Sequence, residues 1–133
     1  MPAPVQISDS EWDVMEAVWN AGECTAADVI RGLRETHAWN HSTIRTLLAR
    51  LVDKGALEYE VDGARYIYRA ALSREQCVRH EGRSFTEKVF GGDVGELLLH
   101  FARDASLHPD QIAELRKLLD DKQPRRRRKG KDQ

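Results

Sequence analysis

The sequence predicts a mainly α-helical chain with one small β-hairpin. Three observations carry this. Apolar residues recur at helical spacing through most of the chain, the period switches to two only over residues 57–68, and four of the helical stretches open on a capping residue. At 133 residues the chain has room for one domain, or one small domain with an appendage.

The first helix starts at "SDSE", residues 8–11. Ser8 is placed to accept from the Glu11 amide and Glu11 to reach back to the Ser8 amide, a capping box, with Ile7 and Trp12 as a hydrophobic staple across it. Trp12, Met15, Val18 and Trp19 follow at helical spacing, and Gly22 ends the helix. "TAAD", 25–28, opens a second helix whose apolar face is Val29, Ile30 and Leu33. Asn40 is the N-cap of a third, in which Ile44, Leu47, Leu48 and Leu51 form a one-sided stripe and Gly55 takes the left-handed position past the end. Leu57, Tyr59 and Val61 then alternate with Glu58 and Glu60, and Asp62-Gly63 is read as a two-residue hairpin turn. That register sets Val61 opposite Ala64 and Tyr59 opposite Tyr66, puts Glu60 across from Arg65, and assigns Tyr66 and Tyr68 to the core. Three short helices followed by a hairpin is the order of a winged helix–turn–helix. "SREQ", 73–76, caps a fourth helix running to about Phe90, a fifth covers roughly 94–103, and a sixth starts with Pro109 at its first position.

The expected organisation is a winged helix–turn–helix over 1–70, a helical dimerisation region over 71–123 and a disordered basic tail over 124–133. About fifty residues seldom close a core alone. Val78, Phe85, Val89, Phe90, Leu97, Leu98, Phe101, Ile112, Leu115 and Leu119 therefore call for a partner surface, and a second copy of the chain is the economical one. Packing back on the first half is the other reading.

Composition is that of a globular chain, 41% hydrophobic and 32% charged, with no apolar run long enough to span a membrane. "MPAPVQISDSEW" lacks the basic start and apolar centre of a secretory signal, so the expected compartment is the cytoplasm. Two cysteines, Cys24 and Cys77, read as free structural thiols. The net charge of −1 conceals an asymmetry. The tail holds six of the 21 Lys+Arg and one of the 22 Asp+Glu, leaving residues 1–123 with 15 basic against 21 acidic side chains, a net of −6. Whole-body charge thus gives nucleic-acid binding no support, and such a function has to rest on local geometry.

The outward face of the third helix supplies that geometry. Opposite its apolar stripe lie Ser42, Arg45, Thr46, Ala49 and Arg50, with Asn40, His41, Ser42 and Thr43 at its N-terminal end. Major-groove entry favours small side chains, hydroxyls for base edges or phosphates, and Arg for guanine. Taken singly, the arginines read equally well as solvated charges or as partners of Asp53 or Glu58, and Ser42 and Thr43 as capping residues; taken together on one face, they favour double-stranded DNA. Arg65 is the wing's candidate phosphate contact, opposed by Asp62 and Glu60. The arginine-rich tail reads either as a mobile phosphate-binding arm or as a solubilising terminus. No nucleophile sits beside a base, no metal set is present, and His37, His41, His80, His100 and His108 are scattered, so an enzyme is not expected. A winged-helix protein–protein module without operator binding is the alternative, and the acidic body is its support.

The stretches "ISDSEWDVMEAVW", "WNHSTIRTLLARLVDKGAL", "RYIYRAALSREQ" and "LLLHFARDASLHPDQIAELRKLL" together resemble the penicillinase-repressor family, over about Ile7 to Asp121. The resemblance implies a homodimeric winged-helix repressor on a dyad operator, with Thr43, Arg45, Thr46 and Arg50 as contacts. In the family's β-lactam branch, tied to antibiotic resistance, a membrane sensor with a zinc protease leads to cleavage of the repressor at an Asn-Phe bond in the fifth helix. The matching bond here is His100-Phe101, where His departs from Asn. The alternative is that both are ordinary helix residues, with Phe101 at the dimer interface. The copper branch ends in paired Cys-x-Cys motifs, which this chain lacks. Cys77 and His80 are spaced to touch a metal but have no third and fourth ligands, so no metal or cofactor is expected.

Overall fold

The computed structural model describes residues 5–124. In chain order these form α1 (Asp9–Ala21), β1 (Glu23–Cys24), α2 (Ala26–Arg34), α3 (His41–Asp53), β2 (Leu57–Asp62), β3 (Arg65–Ala70), α4 (Arg74–Phe90), α5 (Val94–Asp104) and α6 (Pro109–Lys122). The helix starts follow the capping chemistry. Ser8 with Glu11, Thr25 with Asp28 and Ser73 with Gln76 each form a reciprocal capping box, and the Asn40 side chain accepts from the Thr43 amide. Each such cap stabilises its helix by about 1 kcal/mol.

The sheet has three antiparallel strands in the order β1-β3-β2. β1, which the sequence pattern does not reveal, pairs Glu23 with Arg69 and Cys24 with Tyr68. The hairpin register differs from the expected one. Val61 faces Tyr66, Tyr59 faces Tyr68, Glu60 faces Ile67, and Asp62 with Arg65 closes a loop of Gly63 and Ala64. Gly63, at φ +65°, takes the first central position. A loop on Asp62-Gly63 would have asked Asp62 for a positive φ as well, which a residue with a Cβ resists. Because the pairing slips by two residues, every side chain keeps its face. Tyr66 is nevertheless exposed rather than in the core, and Tyr68 is half-buried, because the hairpin extends past the helices that would cover it.

Two compact units are present, one ending at Asp93 and the other beginning at Val94. The first holds the core. Val14, Met15 and Val18 of α1 pack with Val29, Ile30 and Leu33 of α2, Ile44, Leu47, Leu48 and Leu51 of α3, and Leu57 and Leu72. α4 belongs to this unit. Its Cys77 joins the core, Arg74 forms an ion pair with Glu16 at 3.1 Å, and the Trp19 indole donates to the Leu72 carbonyl at 3.0 Å. The second unit, α5 and α6, buries none of its residues.

Candidate nucleic-acid interface

α3 is held at both ends. At its start, the Asn40 side-chain oxygen accepts from the Thr43 amide at 2.8 Å and from the Ser42 hydroxyl at 2.9 Å. Just before it, His37 Nε2 lies 2.9 Å from Asp13 of α1, and the His37 ring packs against Trp39 at 4.1 Å between centroids. At its end, Lys54 Nζ donates to Glu11 at 2.6 Å and to the Gln6 carbonyl at 2.8 Å. Glu11 is almost wholly buried and also accepts from the Ser8 amide at 2.9 Å. Burial pushes its carboxyl pKa up. The hydrogen bonds from Lys54 and Ser8 and the Lys54 charge outweigh that and hold it below the ordinary value. A single buried carboxylate thus ties the start of α1 to the end of α3.

With Ile44, Leu47, Leu48 and Leu51 turned inward, the outer face is left to Ser42, Arg45, Thr46, Ala49 and Arg50, all exposed. Asn40 and His41 are also exposed, whereas Thr43 is half-buried. Asn40 is the cap, and Ser42 donates its hydroxyl to the Asn40 side chain rather than accepting from a helix amide. Among the described residues neither Arg45 nor Arg50 has a carboxylate within ion-pair distance, and the pairings with Asp53 or Glu58 do not form. Arg65 lies 3.6 Å from Asp62, with both side chains about two-thirds exposed, a loose contact of little energetic weight. Glu60 instead takes part in a cluster in which Arg69 reaches Glu23, Glu58 and Glu60 at 3.3–3.5 Å on the hairpin's other face.

Between α3 and the hairpin lies a cleft of 580 Å³ lined by Thr25, Arg45, Arg65, Tyr66, Tyr68 and three alanines. The third helix was legible as a surface from its sequence; the tyrosines beside it were not. The signal was present in the alternation that puts Tyr59, Val61, Tyr66 and Tyr68 on one side of the hairpin.

The dimerisation candidates are open in the single chain. Val78, Phe85, Val89, Leu98, Phe101, Ile112 and Leu119 are exposed, and Phe90, Leu97 and Leu115 are half-buried. His100 and Phe101 sit within α5, both exposed, with their rings edge to face at 5.2 Å. Among the described residues no three His, Cys, Asp or Glu side chains are grouped to hold a metal, and no helix is long and apolar enough to cross a membrane. Cys24 and Cys77 are free and buried, and burial raises both thiols. The arginine run lies outside the described residues.

Three helices, a short strand and a hairpin, with a polar face on the third helix, define a winged-helix transcription regulator. More particularly, the chain belongs to the penicillinase repressor family, whose family model matches residues 7–121. It is 30% identical over 122 residues to the penicillinase repressor of Bacillus licheniformis, spanning 92% of this chain and 95% of that one. It is 31% identical over 117 residues to the methicillin resistance regulatory protein MecI of Staphylococcus aureus strain N315, spanning 88% and 95%. Among solved structures, it is similar to the DNA-binding domain of the repressor BlaI (TM-score 0.52, 34% identity, 57% of this chain and 93% of that one). A similar match is monomeric Bacillus licheniformis BlaI in complex with the blaP half-operator (TM-score 0.50, 34% identity, the same coverage). The family is one of transcriptional repressors and not of enzymes.

Proposed function

We propose that this chain is a homodimeric cytoplasmic repressor that binds a dyad operator, with α3 of each protomer in the DNA major groove. The observation that carries the reading is the outer face of α3, where hydroxyls, an alanine and two arginines without carboxylate partners stand on a helix braced at both ends. The half-operator complex of BlaI supports it. The contact set is Asn40, His41, Ser42, Thr43, Arg45, Thr46, Arg50 and Arg65. The dimer forms through the exposed apolar residues of α4, α5 and α6, and two half-sites engaged together give the affinity that one protomer lacks. Half-sites are then spaced by one helical turn or a multiple of it.

Relief of repression follows from loss of the dimer. Cleavage at His100-Phe101 by a membrane sensor–protease system would separate α6 from the rest. The tail adds salt-sensitive affinity for phosphates.

The test is a gel shift of the chain's own upstream region at two salt concentrations, with wild type and the double variant Arg45→Ala/Arg50→Ala. Binding of one fragment by wild type and its loss in the variant is the expected result. Equal, weak, salt-labile binding by both would overturn it and leave the tail as the DNA contact. The net charge of −6 on residues 1–123 favours a second reading, a protein-binding module, and that outcome would point to it.

A further inference from the structure

The cleft between α3 and the hairpin stands apart from the rest of an acidic body. Its lining contains two arginines, two tyrosines, a threonine and three alanines, and no carboxylate. The neighbouring cleft, 620 Å³ along α1 and α2, is lined by Asp13, Glu16 and Asp28 and has a single histidine as its basic group. Charge therefore changes sign across one small domain, and the positive cleft opens beside the proposed DNA-reading helix.

Arg45 holds a particular place on that helix. At 100° per residue it lies about 60° round the axis from Ser42, on the edge that lines the cleft, whereas Arg50 lies about 80° round the other way. The middle of the outer face is left to Ser42, Thr46 and Ala49. Across the cleft, Tyr66 stacks on Tyr59 with centroids 4.5 Å apart and planes at 13°, and Tyr68 lies 5.9 Å from Tyr59 and 6.4 Å from Tyr66. Three packed rings fix their phenols in place at little entropic cost. Among the described residues neither the Tyr66 nor the Tyr68 hydroxyl has a hydrogen-bond partner. Burial raises the Tyr68 phenol while the Arg45 guanidinium pulls it down; the net is upward, so at neutral pH the hydroxyl keeps its proton and donates. The Arg65 guanidinium is turned to Asp62, which leaves the Arg45 guanidinium, without a carboxylate partner among the described residues, and two phenol donors; these suit an anion that is accessible from outside and extended, as a nucleic-acid backbone is.

We propose that this cleft seats the phosphate backbone of the bound DNA, with Arg45 and the Tyr66 and Tyr68 hydroxyls donating to a phosphodiester. The assignment rests on the DNA-binding reading and divides the labour within it. Arg45 sets position, and sequence is read by Ser42, Thr46, Ala49 and Arg50.

Labelled duplex enriched from a random pool by the wild-type full-length chain, together with its single-base-pair variants, separates the roles. Arg45→Ala should weaken binding to every duplex by a common factor of at least about tenfold and lower the salt slope by about one per bound protomer. Tyr66→Phe/Tyr68→Phe keeps the ring stack and should cost about three- to tenfold per hydroxyl across the whole set. Arg50→Ala should instead erase discrimination at one base pair. The assignment is overturned if Arg45→Ala loses discrimination at a base pair with the salt slope intact, or if the phenylalanine variant binds like wild type. A wild-type chain that enriches no sequence would bring down the DNA reading itself and this assignment with it.

Discussion

The unit ending at Asp93 and the unit beginning at Val94 are both built from amphipathic helices, yet they resolve that pattern in opposite ways. In the first, sixteen buried apolar residues find their partners inside the chain. In the second, α5 and α6 bury nothing, and Val94, Leu98, Leu99, Phe101, Leu118 and Leu119 face outward. An amphipathic stripe therefore specifies that a face will be covered, and leaves open by what. The same period that builds a core in α1–α3 leaves an open apolar face on α5 and α6.

Substitutions can break that contrast. Leu48→Ala removes a wholly buried side chain and should cost about 2–5 kcal/mol, read as a lower urea midpoint at any protein concentration. Phe101→Asp should leave the unfolding of the first unit where it is and shift sedimentation from dimer towards monomer, weakening self-association about tenfold or more. An unchanged sedimentation profile would return the second unit's stripe to some other partner. Trp19→Phe keeps most of the apolar volume but loses the bond to the Leu72 carbonyl, and should lower stability by about 1 kcal/mol in thermal melts.

Acid sharpens the same comparison. Glu11 and Glu16, both in the first unit, have folded pKa values below their ordinary ones, Glu16 chiefly through its hydrogen bonds from Arg74. A carboxyl lowered by folding contributes stability above its unfolded pKa, about 4.3, and that stability is lost as pH falls through the lower folded value. Asp28 is lowered too, by its bonds from Thr25, so urea midpoints should fall as pH drops below about 5, and Glu11→Gln should show a shallower fall because one of these carboxyls no longer titrates. At the weak end, Arg79→Ala breaks an exposed i,i+4 pair with Glu75 and should change stability by less than about 0.5 kcal/mol.

Much of the first unit was legible because its determinants are local. A capping box needs four consecutive residues, and Ser8–Glu11, Thr25–Asp28 and Ser73–Gln76 form as their spacing predicts. The outer face of α3 was readable for the same reason, since exposure of Ser42, Arg45, Thr46 and Arg50 follows from the stripe of Ile44, Leu47, Leu48 and Leu51. What escaped depends on contacts distant in sequence. β1 is two residues long, too short to show a period, and exists because Glu23 and Cys24 meet Arg69 and Tyr68. Reading Asp-Gly as a pair sets the hairpin loop one residue early, whereas Gly63 supplies the positive φ from the first central position. Lys54 reaches Glu11 from the end of α3, and nothing near it in the chain announces that partner.

The cluster on the hairpin's outer side has a bearing on encounter rather than on fit. Glu23, Glu58 and Glu60 share one guanidinium, that of Arg69, so three negative charges meet one positive and the patch keeps a net of −2. A polyanion approaching from that side is turned away, while the tyrosine-lined cleft on the other side is lined by Arg45. The wing is thus polarised, and near a polyanion this charge distribution exerts a torque that turns the acidic cluster away. An acidic body then slows random collisions but rejects misoriented ones, trading association rate for orientation in a way that rising salt would erase.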